Sequence, residues 1–132
     1  MKLSIACAHC LAPIATDLEF HKDPETAINT VQISEEPYDT KSSVIPGTCF
    51  ISRHNDNHVV VSEESIPGAK FTNMGKGCCK YDYFDVACAE CGTVVGAGEN
   101  DCWQEDSVRL DRSKVILACT VGDPEDIIGS KP

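Results

Sequence analysis

Two Cys-x-x-Cys pairs, Cys7-Ala8-His9-Cys10 and Cys88-Ala89-Glu90-Cys91, are the residues of this chain best suited to chemistry. A turn of this kind places two thiols on one side of a tight loop. Two such turns brought together offer four soft sulfur donors in the tetrahedral arrangement that Zn²⁺ accepts. The spacing predicts one structural zinc held by Cys7, Cys10, Cys88 and Cys91. Because such a site does not pre-exist in an unfolded chain, the free energy of metal binding is also folding free energy. Leu3-Ser4-Ile5-Ala6 precedes the first pair and Phe84-Asp85-Val86-Ala87 the second; Leu11-Ala12-Pro13-Ile14 and Gly92-Thr93-Val94-Val95-Gly96 follow them. Each pair therefore reads as strand, knuckle, strand. Two other uses of Cys-x-x-Cys fit less well. A redox pair opens a helix within a βαβ unit, and neither pair here is followed by a helical pattern. A disulfide framework belongs to a secreted chain; the N-terminal apolar run is too short for a signal peptide and is broken by His9 and Cys10.

These knuckles need strands to position them, and the chain is rich in strand signals. Residues 27–34 alternate and carry β-branched side chains. Residues 47–52 and 58–62 read as two strands joined by the polar turn Arg53-His54-Asn55-Asp56-Asn57, a hairpin. Residues 81–87 lead into the second knuckle, 93–96 leave it, and 114–121 form a late apolar strand. Asp23-Pro24, Glu36-Pro37, Pro46-Gly47, Pro67-Gly68 and Met74-Gly75-Lys76-Gly77 punctuate them. No segment has helical periodicity beyond one turn opened by Pro24. Residues 1–121 are expected to form one zinc-binding domain, and 122–132 an acidic flexible tail.

Composition agrees with a metal-stapled fold. In 132 residues there are four Phe, three Tyr and one Trp, a lean aromatic supply for a core. No apolar stretch is long enough to span a membrane. The reading is an intracellular protein, in the nucleus or cytoplasm, with reduced thiols. Its formal charge of −10 repels phosphate backbones unless cations cluster locally. Two groups could do so: Lys70, Lys76 and Lys80, then Arg109, Arg112 and Lys114. Asp82, Asp85, Asp106 and Asp111 lie beside them in sequence. RNA is thus the alternative partner; a protein partner is the first expectation.

Other candidates carry less. His54-x-x-x-His58 has metal-like spacing but lies in the polar turn. The adjacent Cys78 and Cys79 chelate one ion poorly, and Cys49 lacks the surroundings of a reactive cysteine. Cys102 and Cys119 read as small apolar residues. Asp101, Glu105 and Asp106 around Trp103 have no partner base or nucleophile, and the glycines beside Lys76 lack the length and hydroxyl of a phosphate loop. No enzyme activity is expected.

The order strand, Cys-x-x-Cys, apolar strand, long β-rich middle, strand, Cys-x-x-Cys-Gly-x-x-x-Gly and closing apolar strand resembles the β-tent superfamily. That group includes the Yippee proteins, the centromere-licensing Yippee-domain proteins, the thalidomide-binding domain of cereblon, zinc-containing chaperones of small GTPases and the C-terminal domains of RIG-I-like helicases. The specific likeness lies in residues 5–14 and 84–98. The resemblance implies an all-β fold of two antiparallel sheets pinned by one four-cysteine zinc site, with Gly92 and Gly96 shaping the second knuckle. It also implies an insertion in the middle, within residues 35–46 or 63–77. A cereblon-like ligand cage needs three tryptophans, and the only one here is Trp103. The expected function is a non-catalytic protein adaptor in an intracellular complex, by analogy nuclear and chromatin- or centromere-associated. Two alternatives follow from the same resemblance. One is a RIG-I-like domain gripping RNA ends, to which residues 49–53 are similar. The other is a chaperone-like partner of small GTPases.

Overall fold

The computed structural model describes residues 2–32, 35–36, 40–53, 55–72, 83–99 and 107–119. Eleven strands and two short 3₁₀ helices account for the regular structure among them, with no α-helix. In chain order the strands are β1 (Lys2–Cys7), β2 (Pro13–Phe20), β3 (Ile28–Gln32), β4 (Thr40–Val44), β5 (Thr48–Ile51), β6 (His58–Val61), β7 (Ala69–Thr72), β8 (Tyr83–Cys88), β9 (Val94–Glu99), β10 (Ser107–Asp111) and β11 (Val115–Cys119). The turn expected at Pro24 is a 3₁₀ helix, Pro24–Ala27. Asp23 caps it by accepting the Glu25 N–H at 3.1 Å, and Pro24 sits where no amide donor is needed.

Nine strands form one sheet in the order β11-β1-β2-β5-β6-β10-β9-β8-β7, and β3 and β4 form a second, two-stranded sheet. The expectation of purely antiparallel sheets needs one correction. β2 and β5 run parallel, pairing Glu19 with Thr48 and Phe20 with Cys49. A parallel pair requires a crossover rather than a hairpin turn. Here the crossover is the segment that holds the Pro24 helix and the β3–β4 sheet. The predicted hairpin is present as β5–β6, with Phe50 opposite Val60.

The long sheet curls over its own inner face. One cluster joins Leu3, Ile5, Ile14 and Leu18 from β1 and β2 to Phe84, Val86 and Val95 from β8 and β9, with Val108 and Leu110 from β10. At the seam where the two ends meet, the Gly68 N–H donates to the Ile14 carbonyl at 2.9 Å, and Ala89 N–H donates to the Gly68 carbonyl at 3.0 Å. β5 and β6 are buried on both faces. Cys49, Val59 and Val61 point into the main core, whereas Phe50 and Val60 pack against Ala27 and Val44 under the small sheet. That double coverage explains the unbroken apolar run Val59-Val60-Val61.

The two segments in which an insertion was expected contain strands. β4 lies within 35–46 and β7 within 63–77. Residues 122–132, for which a flexible tail was expected, lie outside the described residues. No helix among the described residues is long and apolar enough to cross a membrane.

Candidate metal centre

The two knuckles repeat one another hydrogen bond for hydrogen bond. In the first, Leu11 N–H donates to the Cys7 carbonyl at 2.8 Å and Cys7 N–H to the Ala12 carbonyl at 2.9 Å. In the second, Gly92 N–H donates to the Cys88 carbonyl at 2.9 Å and Cys88 N–H to the Thr93 carbonyl at 2.8 Å. Each loop is further tied to a neighbouring segment. Ala8 N–H donates to the Lys114 carbonyl at 3.1 Å, and Ala89 does the same toward Gly68. In both loops the first cysteine, Cys7 or Cys88, is buried at a strand end, and the second, Cys10 or Cys91, is exposed. Register shifts between Ile5 and Ala6 and between Val86 and Ala87 bend the two entering strands just before the cysteines.

This repetition brings all four sulfurs to one point, within 4.8 Å of one another. Cys7 Sγ lies 3.7 Å from Cys91 Sγ, and Cys10 Sγ 3.5 Å from Cys88 Sγ. A tetrahedron with metal–sulfur bonds of about 2.3 Å has edges of about 3.8 Å, so these four thiols fit a metal ion. The Thr93 hydroxyl, 3.2 Å from Cys91 Sγ, and the Thr93 backbone hold the Cys91 thiol well below its usual range. Cys10 has a matching backbone hydrogen bond from Ala12 that favours its thiolate, yet desolvation and the sulfurs of Cys88, Cys91 and Cys7 push it upward. Four thiolates cannot all ionise side by side without a cation among them.

The residue after each knuckle must adopt a left-handed backbone. Gly92 does so at φ 78°, and Leu11 at φ 65°. For a leucine this conformation costs about 1–2 kcal/mol, and Leu11 is 67 % exposed, so little packing repays it. Replacing it with glycine adds about 0.5–1 kcal/mol of chain entropy to the unfolded state. Leu11→Gly is therefore expected to stabilise the metal-loaded protein by about 0.5 kcal/mol, read as a higher denaturant midpoint. The signal was present in the sequence, because Leu11 and Gly92 hold the same place in the two repeats.

The structure brings together all four cysteines read as ligands. It also adds Thr93 and Ala12, whose places two residues after Cys91 and Cys10 were not singled out. Comparison with known protein families, with curated proteins and with solved structures finds no match to this chain. Of the cations expected to meet RNA, Lys70 Nζ lies 4.0 Å from where a Cβ on Gly92 would stand, beside the second knuckle. Arg109 is three strands away on β10, in a row that runs through Ala97 and Asp85 to Thr72 rather than to Lys70. Arg112 is tied through its guanidinium to the Asp56 carbonyl at 3.0 Å. Lys76 and Lys80 lie outside the described residues, as do His54, Cys78, Cys79, Asp101, Cys102, Trp103, Glu105 and Asp106. Cys49 is buried away from the cluster, and burial, with the Glu19 charge, pushes its thiol up to about 12. Cys119 is half-buried opposite Leu3.

Proposed function

We propose that this chain is a zinc-stabilised, non-catalytic binding module that serves as a protein adaptor in an intracellular complex, as the β-tent resemblance implies. The observation that supports this reading is the closed donor set. Four thiols surround one point, and a metal held by four protein ligands keeps no position for water or substrate. Cys7, Cys10, Cys88 and Cys91 would hold the zinc, which would serve as a staple between the two ends of the sheet. The chain's formal charge of −10 favours protein over nucleic acid as the partner.

The test is a titration of the folded, metal-loaded chain with blunt-ended and single-stranded RNA at near-physiological salt. The adaptor reading expects dissociation constants of roughly the nonspecific order, 10⁻⁴–10⁻⁶ M. Tight binding of blunt ends that is lost in Lys70→Glu or Lys114→Glu would replace that reading with RNA-end recognition.

A further inference from the structure

The four thiols of the metal centre are not equivalent. Cys10 and Cys91 are exposed, whereas Cys7 and Cys88 are fully buried. Each knuckle thus presents its second cysteine to solvent and keeps its first inside. Sulfur contacts also cross from one knuckle to the other. Exposed Cys10 Sγ lies 3.5 Å from buried Cys88 Sγ, and exposed Cys91 Sγ lies 3.7 Å from buried Cys7 Sγ. The two contacts share no residue, so the four sulfurs can close as two separate bridges. A disulfide bond is about 2.05 Å long, so each pair has to approach by only roughly 1.5 Å.

We propose that this centre is a reversible redox switch, in which peroxide oxidises exposed Cys10 or Cys91 and the buried cysteine facing it closes a disulfide, Cys10–Cys88 or Cys7–Cys91. The inference rests on the zinc reading of the four cysteines. A thiolate is both the metal ligand and the nucleophile. Attack of the Cys10 or Cys91 thiolate on hydrogen peroxide forms the S–O bond of a sulfenic acid and breaks the O–O bond. The sulfur is oxidised, and the peroxide is reduced to hydroxide, which takes a solvent proton to become water. Attack by Cys88 or Cys7 on that sulfur then forms the S–S bond and expels the sulfenic hydroxyl, which a second proton converts to water. Each bridge consumes one peroxide and removes two of the four thiolates that zinc requires. The bridged residues are 78 and 84 positions apart in the chain. Such bridges tether the same two segments that the metal would join and constrain the open chain far more than a bridge within one knuckle. Reduction then returns four thiols that are already neighbours. Transient disulfides of this redox-sensing kind are the ones found inside cells.

The test uses the full, zinc-loaded chain, its metal content measured beforehand. Hydrogen peroxide is added, released zinc is followed with a chromophoric chelator, and disulfides are mapped by proteolysis and mass spectrometry. The expected result is loss of the bound zinc, Cys10–Cys88 and Cys7–Cys91 as the bridges, and rebinding of one zinc after reduction with dithiothreitol. Brief alkylation of the loaded protein with iodoacetamide should label Cys10 and Cys91 at least about tenfold faster than Cys7 and Cys88, because access controls the reaction. Bridges confined to one knuckle, bridges to other cysteines, zinc loss without bridges or equal labelling of the four cysteines would overturn the proposal. A loaded chain that keeps its zinc through oxidation would overturn the switch alone. A chain that holds no zinc before oxidation would remove the zinc reading and the switch with it.

Discussion

Removal of the metal by a chelator is expected to unfold this protein, and Cys88→Ser is expected to give the same unfolded chain. Cys88 is fully buried at the end of β8, with its sulfur 3.5 Å from that of Cys10 on the other knuckle. A metal at this point would bond the β1–β2 knuckle to the β8–β9 knuckle, whose Cys10 and Cys88 are 78 residues apart in the chain. Structural zinc contributes apparent binding free energies of about 10–16 kcal/mol. The net stability of a whole domain is only about 5–15 kcal/mol. Losing the ion therefore removes about as much as the fold possesses. Circular dichroism and denaturant titration should show no cooperative transition in the stripped protein or in Cys88→Ser. Cys119→Ser, at a half-buried position outside the cluster, should keep both its metal and its transition. A stripped sample melting at the temperature of the loaded one would show that the metal is not a staple.

Gly68→Ala is expected to cause the second largest loss, about 3 kcal/mol or more, because overpacking is relieved only by moving backbone. A Cβ at Gly68 would stand 1.9 Å from the Pro13 carbonyl oxygen and 2.7 Å from the Ile14 Cα. Neither atom can swing aside as the end of a flexible side chain would. The same residue donates to Ile14 and accepts from Ala89, so a shift there opens the seam beside the metal site. Gly47 is the informative control: its φ of +83° strains an alanine, but nothing lies within 4 Å of the added carbon. Gly47→Ala should cost only about 1–2 kcal/mol. Equal denaturant midpoints for the two variants would mean that the seam yields more easily than its contacts imply.

What could be read in the sequence follows from how local each signal is. The four cysteines were legible because each knuckle is a four-residue pattern, and its repetition tied two distant segments to one ion. β6 and β11 were legible from runs of apolar residues. β4 was not, because Thr-Lys-Ser-Ser-Val has only one residue that demands burial, Val44. β10 carried an alternation that went unread: Val108 and Leu110 face the core, while Arg109 lies between them on the other face. β7 was hidden by the two polar residues among its four, and its pairing with β8 places Phe71 against Phe84, ring centres 4.8 Å apart. The parallel pairing of β2 with β5 had no local signature. It depends on where a crossover of more than twenty residues lands, which chain-neighbour patterns do not encode.

Cys7, Cys10, Cys88 and Cys91 are expected to hold one zinc ion that closes the sheet on itself. The most direct measurement is elemental analysis of the folded protein combined with X-ray absorption at the metal edge. The expected result is one zinc per chain with four sulfur neighbours at about 2.3 Å. A folded, cooperatively melting protein that contains no metal, or one whose zinc has nitrogen or oxygen neighbours in place of the four sulfurs, would contradict it.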